Sequence, residues 1–140
     1  MSKTLVRSLF RGSSAQAALK TQLTEQTRDN CVVSGLVGSA LSISIAELFK
    51  ETALPFLLIL NDKEQAAYHL NDLENLLGDE SVLFYPGSYR RPYQIEQTDN
   101  ANVLLRSEVL NRINSRKKPA LIVTYPEALF EKVITKKQLE

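Results

Sequence analysis

"PFLLILNDKEQAAYHLNDLENLLGD", residues 55–79, holds a strand-to-helix unit within one stretch. Pro55 to Leu60 is a continuous apolar run bounded by Pro55 and Asn61, which suits a strand covered on both faces, as in a parallel sheet. Asn61 is the predicted N-cap of the helix that follows, with Glu64 three residues later as its capping-box partner. Ala66, Leu70, Leu73 and Leu77 then recur at i, i+4, i+7 and i+11, one inward stripe, and Gly78 supplies the C-terminal stop.

The same alternation extends outward. "SVLFY" (81–85) and "PALIVTY" (119–125) predict two more strands, and "NCVVSGL" (30–36), β-branched and ending at glycine, predicts a short strand upstream. "SALSISIAELFKE" (39–51) predicts a helix with Ile45, Leu48 and Phe49 facing inward and Ser39 or Ser42 capping its start. A further helix is expected from about Asn100 to Asn114. Residues 3–28 read as helix broken near Arg11 to Ser14, with Ala15, Leu19 and Leu23 as a modest apolar stripe. Connections between the strands are too long for hairpins. The economical fold is therefore α/β, a parallel sheet with helices on its faces. Residues 1–29 form an N-terminal helical segment and 30–140 one compact unit. The charged "EKVITKKQLE" (131–140) reads as the start of a further element, so the chain is expected to be a fragment of a longer protein.

Composition excludes several classes. The 140 residues are 44% hydrophobic and 24% charged with a net charge of +1, the balance of an ordinary globular domain without a global field for nucleic acid. One cysteine, Cys31, rules out an internal disulfide and a cysteine-rich zinc site. It opens an apolar run and reads as a core residue. The longest apolar run, Ala53 to Leu60, is far short of the ~20 residues of a membrane span, and no targeting segment is visible. A reducing cytoplasm is the expected compartment.

Two stretches carry candidate chemistry. "GLVGSALS" (35–42) has the spacing of a phosphate loop between a predicted strand and a helix. The motif G-x-x-x-x-G-K-[ST] needs a lysine for the phosphates and a hydroxyl for magnesium. Gly35 and Ser42 fill the first and last places, while Ala40 and Leu41 replace the second glycine and the lysine. No acidic run at the end of a strand completes a metal site, since Asp79 and Glu80 precede one. "FYPGSYRRPYQ" (84–94) is a candidate interaction loop, in which Tyr85, Tyr89 and Tyr93 interleave with Arg90 and Arg91. Such a loop can stack bases and hold phosphates, or fold its tyrosines onto the sheet edge. His69 is the sole histidine and, off the apolar stripe, is expected to be exposed. Arg112, Arg116, Lys117 and Lys118 read as a solvated basic cap at a helix end.

Five stretches in order, "GLVGSALSISIAELF", "PFLLILNDKEQAAYHLNDLENLLGD", "VLFYPGSYRRPY", "LLRSEVLNRI" and "PALIVTYPEALFEKV", together covering about residues 30 to 135, resemble the N-terminal region of bacterial transcription-repair coupling factor (Mfd). That region is similar to the first domain of the excision-repair helicase UvrB. The resemblance implies a RecA-like, helicase-type fold with a degenerate P-loop. The family's "GLTGSA" element maps onto Gly35, Leu36, Val37, Gly38, Ser39 and Ala40, with Val37 in place of threonine. UvrB-type sequences continue into glycine, lysine and threonine, whereas Ala40, Leu41 and Ser42 stand here.

The whole protein of that family is an ATP-dependent DNA translocase, a helicase-family hydrolase using ATP and magnesium. It removes stalled RNA polymerase from damaged DNA and recruits UvrA for nucleotide excision repair. This fragment is accordingly expected to be a non-catalytic scaffold without a cofactor. Its partners would be the remaining domains of the same chain, with UvrA held mainly by the following domain. DNA and RNA polymerase would be met through other parts of the protein. The long aromatic hairpin of UvrB is replaced here by the short loop around Tyr85 to Tyr93. The alternative is a small nucleotide-sensing or DNA-binding α/β module with an unorthodox phosphate loop.

Overall fold

The computed structural model of the chain describes residues 8–25, 30–88 and 99–132. Its elements are α1 (Ser14–Thr24), α2 (Ala40–Thr52), β1 (Phe56–Ile59), α3 (Lys63–Leu77), β2 (Val82–Tyr85), α4 (Asn100–Ser115), β3 (Leu121–Thr124) and α5 (Pro126–Phe130). The strands form one parallel sheet in the order β1-β3-β2. β3 runs through the middle with every residue buried, while β1 and β2 form the edges among the described residues.

In-register partners share a face. Phe56, Leu121 and Val82 point one way, and Leu57, Ile122 and Leu83 the other. On the first face α3 packs over β2 and β3, with α2 against α3. The Phe49 ring of α2 meets Phe56 edge-on at 6.1 Å, so β1 is covered on this side. On the second face α4 lies over β2. Nothing described covers the second face of β1, and Leu57 and Ile59 are 56% and 51% exposed. The expectation of a doubly covered strand thus fails for β1. Its apolar run is continuous, but no described helix packs on its second face, whereas β2, also an edge strand, has α3 on one face and α4 on the other.

Local signals explain most of the elements. α3 buries Ala66 and Leu73 completely, half-buries Leu70 and Leu77, and stops at Gly78 with φ 86°. Its N-cap is Asp62 rather than Asn61. The Asp62 carboxylate accepts from the Gln65 N–H at 2.7 Å, and the Asn61 amide turns instead to the Gln65 side chain. α4 is capped by Asp99, which accepts from the Ala101 N–H at 3.1 Å.

Residues 30–37 are not a strand. No described segment pairs with them, and Val32 and Val37 are 91% and 83% exposed. β-Branched composition supplies propensity but cannot supply the neighbouring strand that a ladder requires. Cys31 is consequently exposed rather than buried in the core. The segment instead borders a groove beside α1.

The break near Gly12 is present: residues 8–11 are helical and α1 begins at Ser14. Of its expected stripe, Leu19 and Leu23 are half-buried and Ala15 is exposed; its one buried residue is Gln16. α2 presents polar groups toward it, so the contact is a polar seam. The Gln16 amide donates to the Ser44 carbonyl at 2.9 Å and accepts from the Ser44 hydroxyl at 2.7 Å. Arg11 pairs with the fully buried Glu47 carboxylate, and Lys20 meets Glu51 at 3.1 Å. A buried carboxylate is costly without such a partner. The predicted boundary at residue 29 and the charged stretch after Lys132 lie outside the described residues.

Candidate functional site

The glycine loop before α2 turns on two left-handed residues, Gly35 (φ 85°) and Gly38 (φ 56°). A Cβ on Gly38 would stand 3.9 Å from the Tyr68 hydroxyl, an ordinary contact. Backbone angle, not space, therefore calls for glycine there. Ser39 follows as the N-cap position of α2 but makes no side-chain cap bond. Its hydroxyl pairs with the Tyr68 hydroxyl at 2.9 Å.

Ser42 does not cap the helix either. It is fully buried and shares a hydrogen bond of 2.8 Å with His69 Nδ1. Tyr68 and His69 are neighbours on α3, with their rings edge-to-face at 5.1 Å. Together they fasten the loop and the first turn of α2 to α3. This corrects the expectation for His69, which is 9% exposed. A histidine off an apolar stripe is buried when a hydroxyl on a neighbouring helix meets its ring nitrogen.

Leu41 is half-buried and packs against the hydrophobic core. In a phosphate loop the equivalent lysine reaches the phosphates and the terminal hydroxyl meets magnesium. Here an alkyl side chain faces the core, and the hydroxyl is already bonded to an imidazole. The residues present do not fit a magnesium–nucleotide pair. Ala40 leads directly into the helix.

The second candidate, the aromatic and basic loop, is described only at its base. Tyr89, Arg90, Arg91 and Tyr93 lie outside the described residues. Tyr85 ends β2 and is 7% exposed, with the Arg106 guanidinium 4.2 Å above its ring. It belongs to the core rather than to a base-stacking surface.

Where residues 86–88 leave the sheet, a dense polar network holds them. Arg106, itself buried, donates to the carbonyls of Pro86 at 2.8 Å and Ala128 at 3.0 Å, and its guanidinium lies 3.5 Å from the Glu131 carboxylate. Glu131 accepts from the Ser88 N–H at 2.8 Å. The Gly87 N–H donates to the Tyr125 hydroxyl at 2.8 Å, and Asn102 donates to the Gly87 carbonyl at 2.9 Å. A Cβ on Gly87 would come within 2.8 Å of Glu131 Oε1 and 3.3 Å of the Tyr125 hydroxyl, so a larger residue there would push the Glu131 carboxylate out of its place in the network. The Asp99 N–H donates to the Ser88 carbonyl at 2.8 Å and closes the neck of segment 89–98.

Sequence reasoning missed this clamp. One signal was legible: Arg106 lies three residues before Val109, so both fall on the inward side of α4. Of the basic stretch, Arg112 donates to the Glu80 carbonyl at 3.2 Å, and Arg116, Lys117 and Lys118 are exposed. Among the described residues no group of three or more His, Cys, Asp or Glu side chains could hold a metal ion. Nor is any described helix long and apolar enough to cross a membrane.

No protein-family model matches the chain, and no solved structure matches it significantly. A curated protein does. Over 103 residues, 74% of its length, the chain is 33% identical to the transcription-repair-coupling factor of Bacillus subtilis (strain 168). The matched part is 9% of that protein's length. The chain is thus a relative of one part of a transcription-repair-coupling factor.

Proposed function

We propose that this chain is a non-catalytic scaffold, the first UvrB-like subdomain of a cytoplasmic transcription-repair coupling factor. In this reading it is a degenerate RecA-like unit that has lost nucleotide binding. It supports a following UvrA-binding domain and packs against the rest of the repair module. Translocation driven by ATP and magnesium, removal of stalled RNA polymerase and contact with DNA belong to other parts of the whole protein.

The observation that carries this reading is the fate of the glycine loop. Leu41 stands in the lysine position with its side chain against the core, and Ser42 is bonded to His69 instead of open to a ligand. The loop has become a joint between α2 and α3. Similarity to a transcription-repair-coupling factor supports the choice of parent protein.

Titration calorimetry of the chain with ATP and magnesium should give no measurable heat of binding, and micromolar affinity would overturn the non-catalytic reading. In a pull-down, UvrA should be retained by a form extended past Glu140 through the next domain and weakly by residues 1–140. Strong retention by residues 1–140 alone would mean that the interface lies here.

A further inference from the structure

The side of β1 that no described residue covers continues into a groove. The C-terminal end of α4, residues 116–119 and the approach to β1 enclose an open space of about 480 Å³. Ala120 and Ile122 form its floor, and Ala53, Pro55, Ile113 and Pro119 stand around it. Leu57 lies in register beside Ile122 on the same face, so the floor runs on to the exposed Leu57 and Ile59. Ile113 is itself 52% exposed. A contiguous apolar surface with a polar rim is the usual form of a protein-docking site.

The rim has one sign. Arg112, Arg116 and Lys118 line the groove, and Lys117 lies between the last two. None of the four forms an ion pair with a described residue; the bond of Arg112 is to the Glu80 carbonyl. The dipole of α4 favours cations at this end, but it does not account for the apolar surface that they flank.

The sheet also fixes the shape of what fits. α4 covers β2, and β1 lies two strands away across β3. Two interstrand spacings are about 9.5 Å, which matches the 8–10 Å separation of packed helices. A helix laid over β1 would therefore rest beside α4 at normal packing distance. A nucleic acid fits less well. Among the described residues no aromatic side chain lines the groove for a base to stack on, and a phosphate backbone would leave its apolar floor uncovered.

We propose that this groove and the adjoining face of β1 dock an acidic amphipathic helix of a partner protein. Its apolar stripe would cover Ile122, Leu57 and Ile59, and its carboxylates would face Arg116, Lys117 and Lys118. The proposal is independent of the scaffold reading, because it uses neither the glycine loop nor the relative's activity.

The test uses the 140-residue chain and a labelled helical peptide with leucines at i, i+3, i+4 and i+7 and glutamates along both flanks. Controls are the same peptide with lysines for glutamates and a labelled single-stranded DNA. Fluorescence anisotropy should show the acidic peptide binding, and the lysine peptide and the DNA binding at least about tenfold more weakly. Two folded variants, checked by circular dichroism, separate the contributions. Lys117→Glu with Lys118→Glu removes the rim charge, and Leu57→Ser with Ile59→Ser removes the exposed apolar strip. Each should weaken the acidic peptide by about tenfold or more. Failure of the acidic peptide to bind, equal binding of the lysine peptide or the DNA, or indifference to either double substitution would overturn the proposal.

Discussion

Ser42 and His69, 27 residues apart in the chain, share a hydrogen bond of 2.8 Å in the interior between α2 and α3. The hydroxyl that closes a phosphate-loop pattern in sequence is a packing element in three dimensions. Its nearest counterpart, Ser39 with Tyr68, ties the preceding turn to the same helix.

This pair is measurable. Ser42→Ala leaves His69 Nδ1 without its hydroxyl and should lower stability by about 1–2 kcal/mol in urea denaturation. Combined with His69→Ala, a double-mutant cycle should return a coupling of about 1 kcal/mol. Additive single effects would mean that the bond contributes nothing to holding the two helices together.

Putting the missing charge back should not restore a nucleotide site. Leu41→Lys takes a core-packed alkyl side chain away and should cost about 1–2 kcal/mol of stability. Calorimetry with ATP and magnesium should remain flat, because Ser42 is still bonded to His69. Recovery of binding by this one change would show the loop to be an intact site lacking only its lysine.

At the neck of segment 89–98, Arg106 carries the heaviest burden. Arg106→Met keeps much of the side-chain volume but strands the Pro86 and Ala128 carbonyls and leaves Glu131 without its guanidinium. A loss of about 3 kcal/mol is expected. A variant within a few tenths of the parent stability would place the clamp among dispensable surface contacts.

Acidity offers a further check, at Glu74. Partial burial, followed by the nearby Asp79 carboxylate, raises its carboxyl above the ordinary 4.5. A carboxyl with a raised folded pKa binds protons more tightly in the native state, so its stabilising share is present at low pH. That share is lost as pH rises through the folded value. Relative to Glu74→Gln, the parent chain should therefore lose stability between acid and neutral pH. The effect is small because the group is largely solvated. Thermal melts of both proteins across that range decide it, and parallel profiles would count against the shift.

The sequence by itself determined the elements whose signals are local. The apolar run of β1, the stripe and glycine stop of α3, the strands at 82–85 and 121–124 and the long α4 all follow from periodicity, capping and breakers within a few residues. Parallel pairing followed as well, since the connections exclude hairpins. What depended on distant partners was decided only by tertiary structure. Residues 30–36 have strand composition but no described strand beside them, so they form no ladder and Cys31 is exposed. β1 reads as doubly buried, but no described helix covers its second face, so Leu57 and Ile59 stay exposed. His69 reads as a surface residue but is buried, as are Gln16 and Arg106, because Ser42, Ser44 and the carbonyls at the loop neck meet their polar atoms. Burial of a polar side chain is favourable only where such a partner waits. That partner lies about 20 or more residues away in each case, beyond the reach of any local pattern.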